Sequence, residues 1–285
     1  MGVWVGAVNA VRESSDRDCV KVFEGIIRKN QAGITMNEQL FLENIRDVLA
    51  RLEESIIFGF IERAQFDVNP VVYEPGAFSD PVGEHSLTGY LLHETEKIHA
   101  RVRRYTSPDE HAFFEDLPEP VLKPLQYYEN PLVPNTINMN NQVRRVYETE
   151  IVPRICEAGD DAQYGSSAVC DVNNLQTLSR RIHYGKFVAE SKYQNFPDKY
   201  EALIRAGNGD AIRELISDEA VEDRLLKRVE AKARAYGQEL TGEATVENSP
   251  SARFKISPEV IVELYRDWII PLTKDVEVQY LLACH

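Results

Sequence analysis

The sequence lacks any apolar run of about 18 residues, the length that a membrane-spanning helix requires. We therefore expect no membrane partner. Basic residues are also few, because 32 lysines and arginines face 46 aspartates and glutamates among 285 residues, a net charge of −14. Such a chain is poorly suited to a nucleic-acid partner, whose phosphates it would repel. Any anionic ligand must be bound by a local group of cations.

Cysteine is scarce and scattered. Cys19, Cys156, Cys170 and Cys284 show neither CxxC spacing nor the density of a disulfide framework. This usage predicts a reducing compartment, the cytoplasm. The first residues, MGVWVGAVNAVRESSDRDC, include acidic side chains that transit peptides usually lack, so a plastid location would require that a targeting segment has been removed.

Long alternations of apolar and polar residues, which are typical of strands, are missing as well, whereas helical spacing is frequent. Residues 37–66 have apolar side chains at every third or fourth position, which predicts a long amphipathic helix. Further helices are predicted over about residues 86–105, 142–156, 168–193, 198–206, 208–216, 218–236 and from 258 onward. Pro271 should kink the last one. The predicted class is all-α, a single-domain bundle of long helices.

Segments of other composition flank and interrupt these helices. Residues 1–36 show no sustained period and are predicted to be a partly ordered N-terminal extension, so that the helical domain covers residues 37–285. Six prolines between residues 107 and 141 exclude a long helix or a central strand. The aromatic residues of that segment indicate that it packs against the domain. Residues 237–254 have the composition of an exposed loop.

The stretch LSRRIHYGKFVAESK, residues 178–192, places cations among apolar residues at helical spacing. Arg181 and Lys192 are eleven residues apart, which on a continuous helix puts them nearly on one face and about 16 Å apart. Gly185 would leave room between them, so the two side chains could bracket a small dianion. Close helix packing at Gly185, with cations that reach out to solvent, explains the same spacing.

Two other helices carry complementary groups. Arg46 lies beside the apolar stripe of the first helix, where a surface ion pair is the alternative. Thr273 and Glu277 are four residues apart in the last helix, so their side chains adjoin, although a solvated face would show the same spacing. Together these groups suit a small dianion, or a reaction that needs only shape and electrostatics. His93 and His99 miss the spacing of a helical zinc site, and no metal is predicted.

Five blocks of the sequence resemble the all-helical chorismate mutases of fungi and plants. They are NIRDVLARLEESIIFGFIERAQF, VRRYTSPDEHAFF, SRRIHYGKFVAESKY, AVEDRLLKRVEAKARAYGQE and IIPLTKDVEVQYLL. They occur in the same order and with matching gaps from about residue 40 to residue 282. The resemblance implies the Claisen rearrangement of chorismate to prephenate, a step of phenylalanine and tyrosine biosynthesis that needs no cofactor.

The resemblance also implies roles for residues of the candidate cationic face. Arg46 and Arg181 match the arginines that hold the two carboxylates of chorismate. Lys192 matches the lysine that donates to the ether oxygen, where negative charge builds up. Glu277 matches a carboxyl group on the other side of that oxygen, which must be protonated in order to donate, so its burial must raise its pKa.

Three further positions match the substrate site of the family. Glu222 matches an acid that contacts the substrate hydroxyl, and Thr273 matches a hydroxyl of the site. Asp218 stands where the fungal pattern has an asparagine that contacts the substrate. Two alternatives remain open: a helical interaction protein that has kept the fold and lost catalysis, for which Asp218 is the only hint, and an unrelated helical enzyme that acts on another small dicarboxylate.

Finally, the resemblance implies a homodimer that binds tyrosine as an inhibitor and tryptophan as an activator at an interface site. Arg103 and Arg104 in VRRY match arginines of the effector site, although ordinary dimer ion pairs would use them as well. Gly165 and Ser166 in YGSS match a loop that contacts the amino-acid group of the effector.

Overall fold

The structure is a computed structural model that describes residues 42–124, 130–238 and 254–285. These residues are helical or irregular, with one isolated antiparallel bridge between Gln238 and Phe254. The extension predicted over residues 1–36 lies outside the described residues, as does most of the loop predicted over 237–254. Residues Leu42–His285 form one compact unit. No helix within the described ranges combines the length and the apolar character that a membrane span needs.

The helices follow the predicted order closely. They are α1 (Leu42–Arg63), α2 (Leu87–Arg101), α3 (Asn140–Val146), α4 (Tyr164–His183), α5 (Gly185–Asn195), α6 (Pro197–Arg205), α7 (Gly209–Ile216), α8 (Glu219–Gly237), α9 (Pro258–Leu264) and α10 (Ile270–Cys284). Two short 3₁₀ turns cover Pro70–Tyr73 and Arg104–Thr106. The proline-rich segment between α2 and α3 has no long helix in its described part, which confirms its predicted character.

The region predicted as one helix over 168–193 is two helices, because α4 ends at His183 and α5 begins at Gly185. The chain turns at Tyr184 between them. Arg181 and Lys192 therefore lie on different helices. The estimate of about 16 Å assumed one regular helix, and the interruption at Tyr184 removes that assumption.

A departure from regular α-helix occurs just before Pro271, where the sequence predicts a kink. A π-helical turn, Tyr265–Ile269, joins α9 to α10 just before this proline, and Ile270 keeps helical dihedral angles (φ −66°, ψ −49°). A second π-helical turn, Tyr147–Ile151, joins α3 to the short helix Val152–Ile155, which contains Pro153. A proline ring crowds the carbonyl group four residues earlier, and the wider π turn relieves that crowding while the helix continues.

The core is formed where α1 packs along α4 and both meet the helices that follow. Its buried side chains include Ile56 and Phe60 of α1, Leu175 and Leu178 of α4, and Val276 of α10. Each is at most 1% exposed. Burying a side chain of this size contributes about 1.5 to 3 kcal/mol, so this packing fixes the position of the helices that carry the candidate site.

A fully buried ion pair also joins α1 to α4. Arg63 Nε donates to Asp171 Oδ1 at 2.7 Å, and neither side chain is exposed to solvent. The hydroxyl groups of Tyr147 and Tyr73 donate to the two oxygens of the same carboxylate at 2.8 Å. The other Arg63 donors bond to main-chain carbonyls just beyond α1, those of Phe66, Asp67 and Val68, and to the hydroxyl oxygen of Tyr73 at 3.3 Å. Because every strong donor and acceptor is used, the pair is a structural junction.

A second junction attaches α8 to α1. Glu53 of α1 is fully buried and accepts a bidentate pair of hydrogen bonds from Arg228 of α8, at 2.9 and 2.6 Å. Lys232, one turn further along α8, donates to the carbonyl of Ala50 at 2.7 Å. These bonds set α8, which carries Glu222, beside α1, which carries Arg46.

Candidate active site

Two cations meet α10 at positions one turn apart. Arg181 Nη1, from the end of α4, donates to Thr273 Oγ1 at 3.3 Å, and Lys192 Nζ, from α5, lies 2.9 Å from Glu277 Oε2. Thr273 and Glu277 adjoin on α10, as their spacing predicted. The structure therefore brings together four of the predicted site residues, although Arg181 and Lys192 come from two helices instead of one.

Gly185 does not leave the open space that the dianion hypothesis required. A Cβ atom at this position would lie 2.8 Å from the carbonyl oxygen of Thr273 and 3.3 Å from Glu277 Cγ. The backbone of α10 therefore occupies the place of a side chain at Gly185. Close helix packing, the alternative explanation of this glycine, is therefore correct. This packing brings Arg181 and Lys192 within reach of α10.

Arg181 has a guanidinium N–H donor that no described residue accepts. Its side chain is 3% exposed, and its Nε is a buried atom without a hydrogen-bond partner among the described residues. Buried polar atoms without partners are rare and call for an explanation. A bound carboxylate would satisfy this donor, because arginine binds carboxylates through two N–H groups at once.

Glu277 is a buried carboxyl group whose pKa is raised. Burial is the main cause, since it disfavours the charged form, and the nearby cations Lys192, Arg181 and Lys274 oppose it without cancelling it. The side chain is 6% exposed. Lys192 also donates to the carbonyl of Ile216, at 2.9 Å, so it is fixed from two sides. The raised pKa is the property that the resemblance required of Glu277.

Glu222 reaches this region through a residue that the sequence reasoning missed. Its Oε1 lies 2.7 Å from Nζ of Lys274, the residue that follows Thr273 on α10. Both side chains are only partly exposed, at 28% and 20%. Lys274 therefore adds a third cation near Glu277. The only signal for it in the sequence is its place directly after Thr273 in IPLTKDVE.

Asp218 and Arg46 are more exposed to solvent than Thr273 and Glu277. Asp218 is the N-cap of α8, where its side chain accepts a hydrogen bond from the backbone N–H of Val221 at 3.0 Å. An N-cap of this kind stabilises a helix by about 1 kcal/mol. Arg46 is exposed on α1, the helix that packs against α5. No described contact joins Arg46 or Asp218 to the group around Thr273 and Glu277.

The sequence matches known proteins over most of its described length. The family model of chorismate mutase type II matches residues 163–278. Over 254 residues the chain is 48% identical to chorismate mutase 1, chloroplastic, of Arabidopsis thaliana, an alignment that covers 86% of this chain and 75% of that protein. The chain belongs to the type II chorismate mutase family.

Solved chorismate mutases share the fold. The crystal structure of a chorismate mutase of Candida albicans in complex with L-tryptophan matches with a TM-score of 0.78 and 41% identity, over 86% of this chain and 92% of that one. A chorismate mutase with tyrosine bound in its allosteric site matches with a TM-score of 0.76 and 48% identity, over 87% and 98% of the two chains. The all-helical class is thereby confirmed.

The residues that resemble a chorismate mutase effector site lie in two separate places. Arg104 Nη1 donates to Gln176 Oε1 of α4 at 2.8 Å, and its Nε donates to Glu110 Oε2 at 3.0 Å. Gly165 and Ser166 are exposed in the first turn of the same helix. Ten residues of helix separate Ser166 from Gln176, about 15 Å. One chain therefore does not bring the two parts together.

Proposed function

We propose that this chain converts chorismate to prephenate at the group formed by Arg181, Lys192, Thr273 and Glu277, with Arg46, Glu222 and Asp218 at its margin. The observation that carries the proposal is the pairing of Lys192 with a buried Glu277 of raised pKa, one turn of α10 away from Arg181. This arrangement suits a reaction that breaks a C–O bond while it forms a C–C bond in one molecule. No cofactor takes part in the proposed reaction.

Binding is the first contribution of the site. The compact conformer of chorismate is rare in solution, and cations that hold its two carboxylates select it, so orientation entropy is lost on binding instead of in the reaction step. We assign this role to Arg181, whose buried Nε is free to donate, and to the exposed Arg46 of α1. We assign the substrate hydroxyl to Glu222 and Asp218 at the start of α8.

Lys192 and Glu277 contribute to the reaction step itself. As the C–O bond breaks, negative charge grows on the ether oxygen, and donors fixed on both sides stabilise the transition state more than the substrate. Lys192 is charged and donates directly. Glu277 can donate only in its protonated form, which its burial favours. Losing one such donor typically costs about 2.7 to 4 kcal/mol.

Purified protein tests this proposal directly. We expect complete consumption of chorismate, followed by its absorbance, and loss of turnover in an Arg181→Ala, Lys192→Ala double variant. Failure of the native protein to consume chorismate would favour the catalytically lapsed interaction protein. Retained turnover in the double variant would show that the reaction takes place elsewhere, as an unrelated helical enzyme site would require.

We further propose that the chain acts as a homodimer. An aliphatic patch supports this state. It consists of four exposed side chains, Ile98 (63%), Val102 (52%), Val121 (74%) and Leu122 (45%). Val121 N donates to the carbonyl of Arg101 at 2.9 Å, which sets the second pair beside the first. Arg103 borders the patch, because its guanidinium donates to the carbonyl of Lys123. Covering this patch with a second copy would remove it from water.

In such a dimer, the effector site would combine Arg103 and Arg104 of one chain with Gly165 and Ser166 of the other. The separation of about 15 Å within one chain supports this arrangement. The matching structures with tryptophan or tyrosine bound support the binding of an amino-acid effector. Chorismate turnover measured with and without each amino acid tests it. We expect inhibition by tyrosine and activation by tryptophan. No effect of tryptophan, together with undetectable tyrosine binding, would contradict effector control.

For the compartment, we propose the cytoplasm, on the scattered free cysteines. A plastid is the alternative, because the name of the Arabidopsis relative includes the word chloroplastic. Fluorescence of a tagged protein expressed from the complete gene distinguishes the two locations.

A further inference from the structure

The buried face of α5 carries charged side chains that the proposed reaction does not use. Lys186 is 2% exposed and donates to His111 Nε2, Asn135 Oδ1 and the carbonyl of Ile137, which holds the proline-rich segment to α5. Glu190, one turn further, is 4% exposed. Two of its three side-chain partners, Tyr280 and His285, lie within residues 280–285.

Glu190 accepts hydrogen bonds from three side chains. Tyr280 of α10 donates its hydroxyl hydrogen to Oε2 at 2.5 Å, and His285 Nε2 lies 2.9 Å from the same oxygen. Gln194, on α5 itself, donates to Oε1 at 2.7 Å. The His285 ring also stacks on Tyr193 of α5, with ring centroids 3.8 Å apart. Tyr280 of α10 and His285, which follows α10, therefore contact α5 at Glu190 and Tyr193, the first before and the second after Lys192.

These contacts complement the bond between Lys192 and Glu277. Both bonds join the same two helices, since Tyr280 follows Glu277 by three residues and Glu190 precedes Lys192 by two. Side chains two residues apart on a helix point in directions that differ by about 200°. The bonds of Glu190 and Lys192 therefore leave α5 on different sides. A helix held on two sides can neither rotate nor slide easily, whereas one bond through a long lysine side chain would allow both motions.

We propose that Glu190, together with Tyr280 and His285, is a positioning group that holds Lys192 in place against Glu277. This inference rests on the proposed function, because it concerns the donors to the ether oxygen. A shift of about 1 Å in a reacting group can cost as much as 100-fold in rate. The carboxylate of Glu190 does not touch the substrate in this role. It acts only through the position of α5.

The pH profile distinguishes positioning from simple stabilisation. Glu277 faces Lys192 of α5, Arg181 of α4, Lys274 of its own helix and Tyr200 of α6. Of these, Lys192 is the one that α5 carries, so its position depends most directly on how α5 is held. Because Lys192 lowers the pKa of Glu277, its departure raises that pKa, and the protonated acid persists to higher pH.

The test uses Tyr280→Phe, which removes one hydroxyl group, and His285→Ala, which changes a residue outside the hydrophobic core. We expect kcat to fall about tenfold in Tyr280→Phe and about threefold in His285→Ala, with KM within about twofold of the native value. The alkaline limb of the pH–kcat profile should move to higher pH in both. His285→Gln, which keeps a donor, should recover part of the loss.

Gln194→Ala is the matched control. It removes a hydrogen bond to the same carboxylate, but one that lies within α5, so kcat and the alkaline limb should stay at native values. Native kcat and a native alkaline limb in both test variants would overturn the proposal, and so would a lower Tm with unchanged kcat. If the native protein consumes no chorismate, the proposed function itself fails, a result that the native control reveals before any variant is compared.

Discussion

Glu277 is subject to two opposing influences. Burial raises the pKa of its carboxyl group, and Lys192, 2.9 Å away, lowers it. The net direction is upward, so the acid keeps its proton at higher pH than an exposed glutamate does. Activity that depends on the protonated form must fall as the pH rises through this raised pKa.

Replacing Glu277 with glutamine should therefore change the pH dependence of catalysis. We expect Glu277→Gln to keep substantial turnover and to extend it to higher pH, because an amide N–H donates without titrating. The pH–kcat profile measures this, with Glu263→Gln, at an exposed position of α9, as the control that should match the native enzyme. An alkaline limb that stays in place in Glu277→Gln would contradict the role of a protonated acid.

The close approach of α5 to α10 depends on the absence of a side chain at Gly185. The two helices touch at Gly185, where the carbonyl of Thr273 lies within 2.8 Å of the place of a Cβ atom. Backbone atoms cannot move aside as a flexible side chain can. The distance between the helices that carry Lys192 and Glu277 is therefore set at Gly185.

Gly185→Ala should push α5 away from α10. We expect a loss of about 1 to 3 kcal/mol in the free energy of unfolding, as for other overpacked sites, together with a lower kcat. Urea denaturation and chorismate turnover measure the two effects. Gly209→Ala is the control, since a Cβ there would make ordinary contacts of 3.4 Å with Val278 and 3.5 Å with Leu282. Equal stability of the two variants would rule out the proposed crowding.

The same elements show how far sequence patterns reach. The predicted bounds of α6, α7 and α8 lie within one residue of the observed ones, because proline, glycine or a capping residue marks their ends. The local sequence does not indicate the break at Tyr184, because the neighbouring Gly185 packs against α10, nearly 90 residues away in the chain. The π-helical turns were missed too, because an extra residue in one turn hardly alters an apolar period of three or four.

For the candidate site, spacing alone was ambiguous. It correctly paired Thr273 with Glu277 within one helix, whereas the contacts of Arg181 and Lys192 with α10 cross between helices and leave no local pattern. Their roles were predicted from the family resemblance. Lys274 was missed because its partner, Glu222, lies on another helix.

In the proposed homodimer, the aliphatic patch would link assembly to effector control. A charge placed in it should prevent a second copy from covering it. We expect Ile98→Asp, Val121→Asp to convert a dimer to a monomer by sedimentation and to lose its response to tyrosine. Ala202→Asp, which adds a charge at an exposed position of α6, should remain dimeric and responsive. A dimer in the patch variant would place the interface on another surface.

The π-helical turn at Tyr265–Ile269 sets the direction in which the side chains of α10 point. A π turn contains one residue more than an α turn, so it shifts the angular phase of everything after it by about 100°. Thr273 and Glu277 face Arg181 and Lys192 only in the shifted phase. Deleting one residue from the turn would leave each later side chain chemically intact but aimed at a different neighbour. The segment between α9 and α10 should thus tolerate substitutions far better than insertions or deletions.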